Sequence, residues 1–220
     1  RCMIIVFSGT DGSGKSTQIE MLISEFRKQG FRTKYIWARG GYTPLFSALK
    51  KILRMLTAKK IPDAGDSPSR DKLLKKKSVS GVWLVIATLD LLMFYGLYVR
   101  IMSWLGTVVV CDRYIEDTLI DFKRNFPDTF DDQSLLWKLL VLFTPKVNQS
   151  FLLFVPVDVS LIRSKMKGEP FPDTPETLAF RLKTYLDESI FPSVKYHKID
   201  CQKSIESIQT EIAGKFKELS

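Results

Sequence analysis

A chain of 220 residues, 45% apolar and 26% charged, can bury a full core, which excludes a disordered or fibrous protein and fits one α/β domain over 1–220. Its three cysteines, Cys2, Cys111 and Cys201, are too scattered for a disulfide framework and show no metal-ligand spacing, so a reduced, cytoplasmic setting is expected. The net charge of +9 is uneven: between residues 50 and 77 ten Lys and Arg face three Asp.

The apolar run 3–7 reads as a strand and not as a signal peptide, because it leads directly into Gly9-Thr10-Asp11-Gly12-Ser13-Gly14-Lys15-Ser16-Thr17 and then into a helix over 18–23. The spacing is G-x-x-x-x-G-K-[ST] between strand and helix, the Walker A phosphate loop. Gly9, Gly12 and Gly14 let the backbone curl, so that its N–H groups, with those of Ser13 and Thr17, converge on phosphate oxygens at the positive end of a helix. Lys15 is placed to reach the β- and γ-phosphates, and the Ser16 hydroxyl to ligate Mg²⁺. ATP and Mg²⁺ are therefore the expected cofactors.

A second strand is predicted over 32–38, after the helix stop at Gly30. Residues 44–56 carry an apolar stripe with Lys50, Lys51 and Arg54 opposite, a basic amphipathic helix. The pattern dissolves over 58–80, where Pro, Gly and Ser alternate with lysines; this reads as a mobile basic loop. Residues 82–99 are apolar enough to approach a membrane span, but Asp90 sits in their middle, where a carboxylate is costly in hydrocarbon. A buried central helix carrying one functional carboxylate is expected. The run 107–110 is a strand ending in Asp112-Arg113-Tyr114. Carboxyl ends of parallel strands face the ligand crevice, so Asp112 suits a partner of Mg²⁺ or of its bound water. Helices at 115–124 and 133–143, a strand at 150–155, helices at 158–166 and 176–190, a strand at 196–200 and a helix at 204–219 complete the alternation. Solitary His197 has no nearby catalytic partner and reads as structural.

Together these residues resemble the thymidylate kinase family of nucleoside monophosphate kinases. The likeness rests on the loop Asp11-Gly12-Ser13-Gly14-Lys15-Ser16-Thr17, on Gly40-Gly41-Tyr42-Thr43-Pro44-Leu45, on Ala87-Thr88-Leu89-Asp90, on Asp112-Arg113-Tyr114 and on the later Arg181 and Tyr185. It implies a three-layer P-loop kinase with five parallel strands in the order 2-3-1-4-5, a nucleoside monophosphate acceptor with dTMP favoured, and a homodimer formed through the apolar central helix. By the same resemblance Asp11 contacts the acceptor sugar, and Arg39 and Arg113 hold its phosphate. Asp90 and Tyr114 line the acceptor site, and Asp112 attends Mg²⁺ with Ser16. Gly12 stands where some members carry a loop arginine, so Arg163, Lys165 and Lys167, within a lid segment 163–175, are expected to supply the cationic cap. Leu91 replaces a base-holding arginine of the family, and Glu116, Asp117 and Asp121 depart from its pocket pattern. The same scaffold acting on another phosphorylated acceptor stays open, as does a catalytically silent ATP-binding module docked on a membrane or, less in keeping with the motifs, on nucleic acid. Peripheral membrane contact through the basic loop and apolar helix belongs with that alternative.

Overall fold

The computed structural model describes residues 3–37, 43, 77–168, 173–187, 189–191 and 194–217. The predicted helix 44–56, most of the predicted loop 58–80, and Arg39 lie outside these residues. The chain divides into two compact units, one of Arg1–Trp37, Met102–Glu116 and Lys146–Ser220, the other of Ala38–Ile101 and Asp117–Pro145.

The first unit is built on five parallel strands: β1 (Met3–Gly9), β2 (Thr33–Trp37), β3 (Val108–Asp112), β4 (Gln149–Phe154) and β5 (Tyr196–Asp200), in the order β2-β3-β1-β4-β5. The predicted order is the one found. β1, β3 and β4 read as unbroken apolar runs because both faces are buried, as parallel strands in the middle of a sheet require. On one face Ile5, Phe7, Val110, Phe151 and Leu153 meet Ile19, Leu22, Ile23 and Phe26 of helix α1 (Lys15–Lys28) and Ile208 and Ile212 of the last helix (Ile205–Lys217). Phe7 and Phe151 stack at 5.1 Å across β1 and β4. Cys111 and Cys201 are buried free thiols in this layer of strands; burial pushes the Cys201 thiol up to about 11, so it packs as a neutral apolar group. His197 Nε2 lies 2.8 Å from Gln149 Oε1, linking β5 to β4.

The second unit holds α2 (Lys77–Met93), its π-helical continuation (Phe94–Val99) and α5 (Leu135–Phe143); α3 (Arg100–Trp104), which follows directly, and α4 (Ile115–Asn125) each have residues assigned to both units. Residues 77–80, inside the predicted loop, are helical as part of α2. Its packing side is aromatic: Trp83 lies 5.0 Å from Phe126, and Phe130 lies 5.0 Å from Trp137. Arg100 Nη2 donates to Phe143 O at 2.6 Å, fixing the end of α5. The expected burial of this helix is corrected. The stretch Val79–Trp104 is 26 residues long and contains an 18-residue window of mean hydropathy 1.9, enough by length and composition to cross a membrane, yet only 39% of that window is buried. Val82, Val85, Leu89, Met93 and Leu97 recur every three or four residues on its open side. The helix is apolar all round, and α5 with the Trp83 cluster covers one side only.

Candidate active site

The site is assembled where β1 ends against β4. Gly9 is in register with Leu153, and a Cβ on Gly9 would stand 1.8 Å from Leu153 O, so no side chain fits there. Gly12 has φ +72°, and a Cβ on it would meet Ser160 O at 3.0 Å and Arg163 Cβ at 3.1 Å. Here the missing side chain serves both the left-handed turn and the close approach of helix α6 (Val157–Lys167). That helix is tied to the loop by two bonds: Ser160 Oγ donates to Asp11 O at 2.5 Å, and Arg163 Nη1 to Gly12 O at 3.2 Å.

Lys15 is buried beneath the loop, with Nζ donating to Thr10 O at 2.6 Å and to Gly9 O at 3.1 Å. Asp112 ends β3 directly across from Phe7 of β1 and Trp37 of β2. Arg113 follows with φ +76°, a left-handed backbone that a non-glycine residue adopts only under constraint. The constraint is visible: its N–H donates to Phe7 O at 2.9 Å, and its Nη2 makes an ion pair with Asp11 Oδ1 at 2.7 Å. The left-handed backbone of this buried cation is thus held by one main-chain bond and one ion pair.

These groups line one cleft of about 270 Å³. Its floor is Gly12, Gly14, Lys15, Ser16 and Thr17; Asp11, Asp112 and Arg113 line it as well. Trp37, Arg163 and Lys167 also contribute. The Ser16 hydroxyl and Asp112 carboxylate are an all-oxygen pair, the donor set that a small hard cation such as Mg²⁺ takes when phosphates and water complete its shell.

Most of the sequence-predicted residues therefore converge, but some do not join them. Arg163 lines the cleft and is also tied down: besides Gly12 O its Nη1 donates to Cys201 O at 3.1 Å, so it stitches α6 to the loop and to the end of β5. Lys167, exposed on the last turn of α6, lines the same cleft. Asp90 is buried in the second unit and accepts a hydrogen bond from Thr43 Oγ1. Leu91 is fully buried there, as are Asp117 and Asp121 nearly so. Tyr114 is buried, with a relative exposure of 1%.

Sequence reasoning missed Tyr35, Trp37 and Ser160. Tyr35 and Trp37 alternate with buried Ile36 along β2, a period-two signal that puts both rings on one face. The Tyr35 hydroxyl donates to Asp112 Oδ2 at 3.1 Å, and burial together with the Asp112 charge raises its pKa, so it remains a donor at neutral pH. Ser160 and Arg163 are one helical turn apart on α6, the spacing that brings both to one partner.

No family model matches the sequence. The chain is 25% identical over 218 residues to the thymidylate kinase of Desulfotalea psychrophila, covering 98% of this chain and 95% of that protein. A shorter stretch of 53 residues is 43% identical to the thymidylate kinase of Halothermothrix orenii, 24% of this chain and 25% of that one. Among solved structures, the thymidylate kinase of Candida albicans matches with a TM-score of 0.60 and 19% identity, over 99% of this chain and 92% of that one, a likeness of fold.

Proposed function

We propose that this chain, which is a divergent member of the thymidylate kinase family, moves the terminal phosphoryl group of ATP to a nucleoside monophosphate, dTMP being the favoured acceptor. The observation that carries the reading is the convergence of Lys15, Ser16, Asp112 and the Asp11–Arg113 pair on one cleft at the carboxyl ends of β1 and β3. Loop amides and Lys15 hold the donor phosphates. Ser16 and Asp112 would hold Mg²⁺, which when bound supplies charge neutralisation between the β- and γ-phosphates.

Arg113 takes the acceptor phosphate, with Asp11 fixing its guanidinium and facing the acceptor sugar. No strong base is needed, because a phosphate monoester with a second pKa of about 6 is already a nucleophile at neutral pH. Catalysis is then positioning and charge neutralisation. Lys167 is the cation of α6 assigned to the transferring group, while Arg163 keeps the loop in shape for it. Acceptor-dependent ADP release is expected with dTMP and weaker with dUMP, dCMP and dGMP. Release independent of every acceptor would count against monophosphate kinase activity.

A homodimer through the open side of α2 belongs to the same reading. Val82, Val85, Leu89, Met93 and Leu97 form a stripe that water does not favour. Light scattering should give twice 25.2 kDa for the natural chain and 25.2 kDa for Val85→Glu/Leu89→Glu. A natural chain that is monomeric at micromolar concentration would remove this part of the proposal.

A further inference from the structure

We infer that Tyr35 is a positioning residue for Asp112, holding that carboxylate in the one orientation that serves a cation in the phosphate cleft. The inference rests on the proposed function, which gives Asp112 its cation. Parallel register pairs Trp37 with Asp112 and Tyr35 with Val110, so Tyr35 stands one pleat behind the carboxylate on the edge strand. Strand side chains lean along the strand, and the long phenol closes that gap: its hydroxyl reaches Asp112 Oδ2 at 3.1 Å. Its ring and Ser16 line the same groove between α1 and β2, together with Ile19 and Ile23. The chain thus sets a hydroxyl donor next to the carboxylate on one side and the other oxygen ligand next to the ring on the other.

Asp112 is buried, with a relative exposure of 7%, so water cannot replace a lost donor freely. The terminal torsion of an aspartate is broad and two-fold, and a donor on Oδ2 is what selects one setting. Two effects oppose each other. Donation draws charge from the carboxylate and weakens its pull on a cation, whereas orientation strengthens the pull. Removing an outer partner of a metal ligand usually costs about 10–100-fold in metal affinity, so orientation outweighs the charge lost.

The test uses the full chain and a fluorescent ADP analogue, read by its binding as Mg²⁺ is titrated, with no turnover involved. Tyr35→Phe is expected to raise the half-saturating Mg²⁺ by about tenfold and to leave analogue binding without Mg²⁺ unchanged. Tyr35→Leu should give the same Mg²⁺ shift with a lower melting temperature, since it also removes the ring. Asp112→Asn should shift Mg²⁺ at least as far, and adding Tyr35→Phe to it should change nothing more. A Mg²⁺ shift that follows melting temperature instead of the hydroxyl would overturn the inference. So would a shift with Asp112→Asn and none with Tyr35→Phe, which would leave the proposed function standing. No shift in either variant would overturn the assignment of Asp112 to the cation itself.

Discussion

Replacing Lys15 with alanine is expected to lower kcat/KM for phosphoryl transfer by about 10³-fold. Lys15 is buried and lies beneath the turn that carries Gly12 and Gly14, where charge is screened far less than at the surface. Its Nζ bonds two backbone carbonyls, Thr10 O and Gly9 O. A phosphate oxygen is a charged acceptor and forms the stronger bond, so the ammonium can exchange carbonyl for phosphate without moving its stem far. Losing these charge-assisted bonds costs the fold only about 1.5–3 kcal/mol, a shift of several degrees in melting temperature. A coupled ADP-release assay beside a thermal melt separates the two effects. Transfer at a normal rate in the folded variant would contradict the role given to Lys15.

Arg113→Ala is expected to reduce transfer by about 10²–10³-fold while ATP binds within a few-fold of the natural affinity. The guanidinium is held by its 2.7 Å pair with Asp11 on the loop, so the proposed donor loop and the proposed acceptor cation share one contact. Asp11 is itself partly exposed, with 28% of its side chain accessible, and water can take over when the partner is removed. The backbone makes a second variant informative. At φ +76° a glycine is at ease and an alanine is not, so Arg113→Gly should melt about 1 kcal/mol more stable than Arg113→Ala and be equally inactive. Arg113→Lys should restore little, because a point charge does not reproduce the fork that meets a carboxylate and a phosphate together. Loss of ATP binding in parallel with loss of transfer would place Arg113 on the donor side and contradict this assignment. Isothermal titration of ATP into each variant reads that difference.

The sheet was legible because parallel strands buried on both faces are continuous apolar runs, and the strand predicted over 196–200 is the one found. Helix ends were less so. The helix predicted to run through 190 stops at Leu186, since Asp187 turns extended and accepts from Ser189 N at 3.0 Å, a local bond that competes with helix. The tight turn between β1 and α1 was legible from its glycines, as Gly12 and Gly14 take the left-handed backbone at φ +72° and +85° that glycine favours. The tie of Arg163 to Gly12 O was not legible, because it depends on α6 packing against a turn 151 positions earlier. Tyr35 escaped notice for the same reason, its partner Asp112 lying 77 positions away. The φ of Arg113 has no sequence signature, because arginine there is chosen for its side chain against the preference of the backbone. Long-range partners and backbone strain are properties of the folded chain, and they are where the reading from sequence stops.

The grip of the first turn on a nucleotide is the claim from which the rest follows, and titration calorimetry of ATP into the purified chain with excess Mg²⁺ tests it most directly. Saturable binding with one site per chain, weakened by at least about tenfold in Lys15→Ala, is the expected result. Absence of heat or saturation for the natural chain up to millimolar ATP would contradict the account.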